Sequence, residues 1–151
     1  MRPHIEAWPE NLPPQAAGDV ARLDRLMFEG DPPSELSGRW WWIVRDKKGN
    51  AIAFAGMRAC QLKVNEGIAL LTRAGVVLPY RGKGIHQAMI AARINYARRK
   101  GFREAVSYVI GKNYASCNAL TASGFRLYEP SERYAGDNAF YFRIKLTSRA
   151  K

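Results

Sequence analysis

The pattern of apolar and polar positions in the first half of the chain predicts one helix followed by a strand hairpin. Apolar residues between two groups of prolines recur at helical spacing, which predicts a helix from about Gln15 to Glu29. The aromatic and β-branched run GRWWWIVRD then predicts a strand, and AIAFAGMRAC predicts a second strand. Between them, Lys47–Asn50 carries the glycine–asparagine signal of a tight turn.

The second half of the chain alternates strands with helices. A turn at QLKVNEG precedes a long third strand, predicted from Ile68 to Leu78, and the period becomes helical from Gly84. Cations at the end of that helical pattern, with Gly101 just beyond them, are typical of a helix stop. The remaining segments predict a strand, a short helix and two strands: FREAVSYVI, GKNYASCNALTASG, FRLYEP and Ala139–Leu146. This order indicates an α/β fold with a mixed sheet and helices on its faces.

Composition adds a few constraints. The 151 residues are predicted to form a single domain, 1–151, and a hydrophobic content of 47% excludes a disordered chain. The sequence has neither an apolar run long enough for a membrane span nor the apolar segment of a signal peptide in MRPHIEAWPENLPP. Cys60 and Cys117 lack CxxC spacing, so we expect buried thiols in a reducing cytoplasm. With His4 and His86 as the only histidines, no metal site is expected.

The charge of the chain is its most unusual bulk property. It contains 24 lysines and arginines against 13 aspartates and glutamates, which gives a formal net charge of +11. This excess predicts attraction to polyanions such as nucleic acid, acidic protein surfaces or a phosphorylated cofactor. The basic residues are spread along the chain, as they are on many solvated surfaces, so charge does not choose among these partners.

The segment RGKG places two glycines at the predicted start of a helix, which is typical of backbone that approaches a phosphate. It is not a Walker loop, because Gly84 follows Lys83 where serine or threonine is required. It is not a dinucleotide fingerprint, because Gln87 stands where the third glycine belongs. Two interpretations remain: a plain strand-to-helix turn, or a helix start that wraps a pyrophosphate, with Arg81 and Lys83 adding charge.

The strand, this loop and the later segment NYASCNALTASGF together resemble the GNAT superfamily of acyl-CoA-dependent N-acetyltransferases. The matching positions lie in the loop and downstream of it: Arg81, Gly82, Gly84, Ile85, Asn113, Ser116, Gly124 and Phe125. The resemblance is strongest from Leu71 to Tyr128 and extends as topology over Trp40–Leu146. It implies the GNAT fold, a mixed, mostly antiparallel central sheet of about six to seven strands with helices on both faces. It also implies transfer of an acetyl group from acetyl-CoA to a primary amine by direct attack.

The resemblance further implies where acetyl-CoA binds. Backbone of the central strand would hold the thioester and pantetheine, the loop the pyrophosphate, and the later helix would lie beside the acyl end. The corresponding positions are Gly75, Val76, Val77, Arg81, Gly82, Lys83, Gly84, Ile85, His86, Asn113 and Ser116. Two features depart from the family pattern. Pro79 stands one residue closer to Arg81 than usual, and His86, near the phosphates or capping the first turn, replaces a small residue.

Catalysis is where the sequence departs most from the family. Leu120 stands four residues after Ser116, where many members carry the tyrosine that protonates the leaving thiolate. The substitutes that remain are water, Ser116, Tyr114, Cys117 and Tyr128. Ser116 equally suits helix capping. Glu66, the carboxylate nearest the central strand, is the candidate general base, although it also suits a solvated turn.

The sequence does not identify the acceptor or the partners. The resemblance implies a small-molecule or peptide amine that enters beside the loop after the first helix and the C-terminal strands. Candidate walls are an acidic rim, the tryptophan run and the last loop: Phe28, Glu29, Asp31, Glu35, Trp40, Trp41, Trp42 and Tyr134–Asn138. Competing interpretations are a basic nucleic-acid-associated protein and a CoA-binding protein without ordinary transfer. No membrane partner is expected, and edge-strand pairing in the family makes a homodimer the default.

Overall fold

The computed structural model describes residues 4–8, 12–60 and 67–146 of the 151-residue chain. These ranges contain three α-helices: α1 (Pro14–Met27), α2 (Ile85–Lys100) and α3 (Tyr114–Ala122). They also contain seven strands: β1 (His4–Trp8), β2 (Trp40–Arg45), β3 (Ala51–Ala59), β4 (Ile68–Val76), β5 (Glu104–Ile110), β6 (Arg126–Leu127) and β7 (Ala139–Lys145).

The seven strands form one sheet in the order β1-β2-β3-β4-β5-β7-β6. The β4–β5 pair is parallel, whereas β1–β2, β2–β3, β5–β7 and β6–β7 are antiparallel. This mixed, mostly antiparallel sheet with three helices confirms the predicted fold class. Among the helices of the described ranges, none has both the length and the apolar character needed to cross a membrane.

Strand β1 is missing from the sequence-based prediction. It pairs with β2, with His4 opposite Arg45 and Trp8 opposite Trp41. An ion pair reinforces this pairing, because Arg45 Nε donates to Glu6 Oε2 at 2.9 Å. The segment is only five residues long, and its partner strand lies beyond α1 in the chain, so local periodicity gave no signal.

The boundaries around α2 were predicted closely, with one correction. The third strand was predicted to reach Leu78, but β4 ends at Val76 and a 3-10 turn spans Leu78–Tyr80. Pro79 lies in the first turn of this 3-10 segment, where its fixed φ suits the helical conformation and its missing N–H is not needed. The predicted helix stop is confirmed, since Gly101 has φ 90° and Phe102 N donates to the Ala97 carbonyl at 3.0 Å.

The turn predicted at Lys47–Asn50 is also confirmed. Asp46 Oδ1 accepts hydrogen bonds from Lys48 N and Asn50 N, both at 2.9 Å, and Gly49 has φ 88°. The turn predicted at QLKVNEG falls on residues 61–66, which lie outside the described residues.

Helix α2 buries one residue that no apolar pattern predicted. The side chain of Arg93 is 2% exposed and shares the inner face with Met89 and Ala97 at helical spacing. Burial lowers the pKa of Arg93 to about 9. Ala92 and Tyr96 of the same helix are half-buried.

The chain divides into two compact units, and the single domain predicted for 1–151 stays a prediction. The first unit comprises residues 1–58 and 72–89. In it, Val20 and Leu23 of α1 pack with Trp41 and Phe54 in one core cluster. A second cluster joins the end of β4 to the start of α2 through Val76, Ile85 and Met89.

The second unit comprises residues 59–71 and 90–151. Ile68 and Leu70 of β4 pack there with Val106 of β5, and Tyr128 and Tyr134 cover them. A hydrogen bond ties the segment between β6 and β7 to β7, because Ala135 N donates to Tyr141 Oη at 2.8 Å. The Tyr141 hydroxyl in turn donates to the Gly136 carbonyl at 2.9 Å.

Candidate functional site

The C-terminal part of β4 packs closely against α1. A Cβ atom at Gly75 would collide with Met27 Sδ and would lie 3.4 Å from Phe54 Cε1. The space that a side chain at Gly75 would need is therefore occupied within the protein, by a side chain of α1. The amide of Val77 donates to the Ile52 carbonyl at 2.9 Å, so that amide is already engaged. Thioester binding by the amides of Gly75 and Val76 stays a prediction.

The 3-10 turn after β4 orients Arg81. Arg81 N donates to the Leu78 carbonyl at 3.1 Å, and its Nε donates to the Val76 carbonyl at 2.7 Å. The side chain therefore folds back onto the last residue of β4 and fixes the start of the loop. Because Arg81 is exposed, its positive charge remains at the surface beside the glycines.

The two glycines of the loop are required by backbone conformation. Gly82 has φ 76° and Gly84 has φ 83°, values that side-chain-bearing residues rarely adopt. A Cβ atom at either glycine would meet no protein atom within 4 Å. The protein therefore leaves the space beside this loop open, and exposed Lys83 lies between the two glycines.

Helix α2 begins directly after the loop. The bond from Ala88 N to the Gly84 carbonyl, at 3.0 Å, is the first of its helical ladder. Within the described part of the chain, the amides of Gly82, Lys83 and Gly84 donate to no backbone carbonyl. Amides at a helix start carry the positive end of the helix dipole and favour an anion. His86 is half-buried in the first turn, and the side chain of Ile85 is buried in the core.

These donors fit the diphosphate of a coenzyme. The loop combines unengaged amides, two exposed cations and open space, all within the first unit. A pyrophosphate needs several donors from one direction, which a glycine-bearing helix start provides. The residues present therefore suit the phosphate group that the sequence predicted.

Helix α3 in the second unit carries the downstream candidates. Asn113 is its N-cap, and its Oδ1 accepts a hydrogen bond from Ser116 N at 3.3 Å. The cap is thus made by the side chain of Asn113, which leaves the Ser116 hydroxyl outside this interaction. Tyr114 is 59% exposed at the first position of the helix. Their roles in binding and proton transfer stay predictions.

Two other positions near α3 limit its chemistry. Leu120, where the family's tyrosine would stand, is 4% exposed and belongs to the core. Burial raises the pKa of the Cys117 thiol, which disfavours the thiolate form that a nucleophile needs. Glu66, the candidate general base, lies outside the described residues. The described side chains contain no group of three histidines, cysteines or carboxylates that could hold a metal ion.

The predicted acidic rim includes a cation that the sequence analysis missed. Arg73 Nη1 lies 3.1 Å from Asp24 Oδ1 and donates to the Pro32 carbonyl at 3.0 Å. Its Nη2 is 3.8 Å from Asp31 Oδ2, so Arg73 neutralises part of the negative charge of the rim. Arg73 also stacks on Phe28, with Cζ 4.8 Å from the ring centroid. The only sequence signal was a charged residue inside a predicted strand.

The other predicted acceptor walls divide between core and surface. Trp41 and Trp42 are buried at 1% and 3% exposure and belong to the core, whereas Trp40 is half-buried. Tyr134 packs edge-on against Tyr141, with ring centroids 5.2 Å apart. Burial first, and Tyr128 next, raise the pKa of the Tyr134 hydroxyl. Tyr134 therefore remains neutral at physiological pH.

A family model identifies the family of this chain. The family model described as "Acetyltransferase (GNAT) family" matches residues 4–125, which is most of the chain. Among curated protein sequences, none matches this chain at a significant level.

Solved structures show the same fold at low sequence identity. An N-acetyltransferase from Staphylococcus aureus Mu50 superposes with a TM-score of 0.77 at 13% identity, over 97% of this chain and 100% of that one. A phosphinothricin acetyltransferase from Sinorhizobium meliloti, solved in complex with AcCoA, gives 0.73 at 17% identity, over 96% and 89%. The ribosomal-protein-S18-alanine N-acetyltransferase from Escherichia coli gives 0.73 at 14% identity, over 99% and 97%. Together with the loop geometry, the family match shows that this chain belongs to the GNAT family of acetyltransferases.

Proposed function

We propose that this acyltransferase uses acetyl-CoA as its donor and a primary amine as its acceptor. The observation that carries the proposal is the loop before α2. Its glycines at φ 76° and 83° leave amides and open space at the start of a helix. A plain strand-to-helix turn would require neither two left-handed glycines nor two exposed cations between and beside them.

Within this proposal, the loop residues bind the coenzyme through its phosphates. The amides of Gly82, Lys83 and Gly84 donate to the pyrophosphate, and Arg81 and Lys83 add charge. Charge-assisted hydrogen bonds of this kind contribute roughly 1.5–3 kcal/mol each where they are shielded from water. Because Arg81 also bonds the Val76 carbonyl, it links the phosphate loop to the end of β4.

The chemistry requires no covalent enzyme intermediate. When bound, acetyl-CoA supplies a thioester whose carbonyl carbon the neutral amine attacks. The new bond joins nitrogen to that carbon, the carbon–sulfur bond breaks, the amine gives up one proton and the thiolate takes one. Placing the amine beside the thioester accounts for much of the rate in such reactions.

Several groups could donate the proton that the leaving thiolate takes. Ser116 and Tyr114 remain candidates to protonate the thiolate, with water as the alternative. The core position of Leu120 specifically favours a second candidate function, a CoA-binding protein that does not turn over.

The experiment is a thiol-release assay with acetyl-CoA and a panel of primary amines, run beside a binding measurement. Gly84→Glu places a carboxylate in the proposed phosphate site. Gly101→Glu is the matched control, because its φ of 90° imposes similar strain at the other end of α2. The acetyltransferase function is supported if the wild type and Gly101→Glu release CoA in an amine-dependent manner and Gly84→Glu does not. Binding of acetyl-CoA without release for any amine supports the second function instead.

A further inference from the structure

Two arginines face each other at the edge of the sheet in the second unit. Arg126 of β6 and Arg143 of β7 are directly opposite in the antiparallel register. Both residues are exposed, so their charges meet solvent. Like charges directly opposite on neighbouring strands destabilise a sheet, and a bound anion removes that repulsion.

The second arginine is held in place. Arg143 Cζ stacks on the ring of Tyr128 at 4.7 Å from its centroid, and Tyr128 belongs to the cluster covering Ile68 and Val106. Stacking on an anchored ring reduces the side-chain freedom that anion binding would otherwise cost. The guanidinium is therefore oriented before any ligand arrives.

Cations outnumber carboxylates at this edge. Lys145 lies two residues beyond Arg143 on the same face of β7, opposite Glu104 of β5. Glu104 Oε2 is 3.9 Å from Arg143 Nε, at the outer limit of an ion pair. Among the described side chains of this edge, one carboxylate thus compensates three cations. We call Arg126, Arg143 and Lys145 the arginine edge.

We propose that the arginine edge binds the phosphate backbone of a nucleic acid. Guanidinium groups match phosphate oxygens in paired hydrogen bonds, and two opposed guanidiniums can contact one phosphodiester from two sides. This activity is additional to acetyl transfer and does not depend on it.

The whole-chain charge selects nucleic acid over an acidic peptide. A chain with net charge +11 is attracted most strongly to the polymer of highest charge density. Duplex DNA carries one negative charge per about 1.7 Å of its axis, which a folded acidic surface does not approach. Long-range attraction then brings the strand to the protein, and the arginine edge fixes its phosphates.

The test is fluorescence anisotropy with labelled single-stranded oligouridine RNA, and with duplex DNA as a second arm. The double variant Arg126→Gln/Arg143→Gln removes two charges from the edge. Lys47→Gln/Lys48→Gln removes two charges from the exposed β2–β3 turn of the first unit and is the matched control. Both have the same net charge, so a difference between them reports position rather than total charge.

For the edge variant we expect affinity for at least one of the two nucleic acids to fall about 10-fold. For single strands, the slope of log K against log salt concentration should decrease in magnitude by about 1.4. The control should stay within about 2-fold of the wild type. Arg126→Lys/Arg143→Lys keeps the charge, loses the guanidinium fork and should give an intermediate affinity. The proposal would be overturned if the edge and control variants lost equal affinity. It would also be overturned if binding did not depend on salt, or if polyglutamate competed as well as RNA does.

Discussion

Arg73 Nη1 lies 3.1 Å from Asp24 Oδ1, and this ion pair joins the central strand β4 to the last turn of α1. Asp24 is 3% exposed and also accepts hydrogen bonds from Ser34 N at 2.9 Å and Ser34 Oγ at 3.1 Å. One buried carboxylate therefore organises the segment that follows α1. The resemblance to the family predicts that the acceptor enters beside this segment, and that stays a prediction.

Arg73→Met should destabilise the protein, because it leaves the Asp24 carboxylate buried without its cation. Breaking a fully buried pair costs about 3–5 kcal/mol, and the partial exposure of Arg73 reduces the expected loss to about 2 kcal/mol. Urea unfolding measures this directly. Arg25→Met, which replaces an exposed arginine next to Asp24 on α1, is the control and should change stability by less than about 0.5 kcal/mol. Equal effects of the two substitutions would show that the ion pair contributes nothing.

Gly75→Ala should destabilise by about 1–3 kcal/mol, because the new methyl group collides with Met27 Sδ. Combining it with Met27→Ala should recover part of the loss, and the double-mutant cycle gives the coupling. Gly18→Ala in α1 is the contrasting control. Its added Cβ meets nothing within 4 Å, so it should stabilise by about 0.5–1 kcal/mol. An additive double mutant would contradict this packing.

Tyr141→Phe should loosen the segment between β6 and β7. It removes the hydroxyl that accepts from Ala135 N and donates to the Gly136 carbonyl, at an expected cost of about 1–2 kcal/mol. Hydrogen exchange at the Ala135 amide should accelerate correspondingly. Tyr108 is a neighbouring tyrosine that is 37% exposed, and Tyr108→Phe should leave that exchange rate unchanged. Unchanged exchange in Tyr141→Phe would contradict the hydrogen bonding described for this segment.

The β2–β3 turn should make stability depend on pH through Asp46. Hydrogen bonds, first from Asn50 N, lower the pKa of this carboxyl in the folded protein. Because the pKa is lower in the folded protein, the carboxylate contributes fully to stability above its pKa in the unfolded chain, about 3.9. That contribution is lost as pH falls through the folded pKa. Asp46→Ala should therefore lower the melting temperature at neutral pH, with the difference shrinking below about pH 4. A difference that stays constant through that range would rule out the carboxylate as the cause.

The strongest local signals predicted most of the fold. The change of period at Gly84, and the cations followed by Gly101, are local signals, so the start and stop of α2 were predicted nearly to the residue. β1 was missed because a five-residue strand depends on a partner beyond α1, and no short-range pattern encodes that pairing.

The site was predictable only where backbone conformation dictates the residue. Gly82 and Gly84 are visible in the sequence because only glycine adopts their conformation readily. Arg73, Arg93 and the Arg126–Arg143 pair were not visible, because their roles depend on neighbours distant in sequence. The glycine at position 75 is visible in the sequence, but the contact with Met27 that requires it depends on how α1 packs on the sheet.

A thermal-shift assay with acetyl-CoA, and with CoA and dephospho-CoA in parallel, tests whether the loop before α2 binds the coenzyme. At 100 times its dissociation constant, the ligand should stabilise the wild type by about 2.7 kcal/mol. Gly84→Glu should lose that shift, and Gly101→Glu, with a similar positive φ at the other end of α2, should keep it. No shift in the wild type with any of the three ligands, or a shift that survives Gly84→Glu, would contradict the assignment of this loop to the phosphates of the coenzyme.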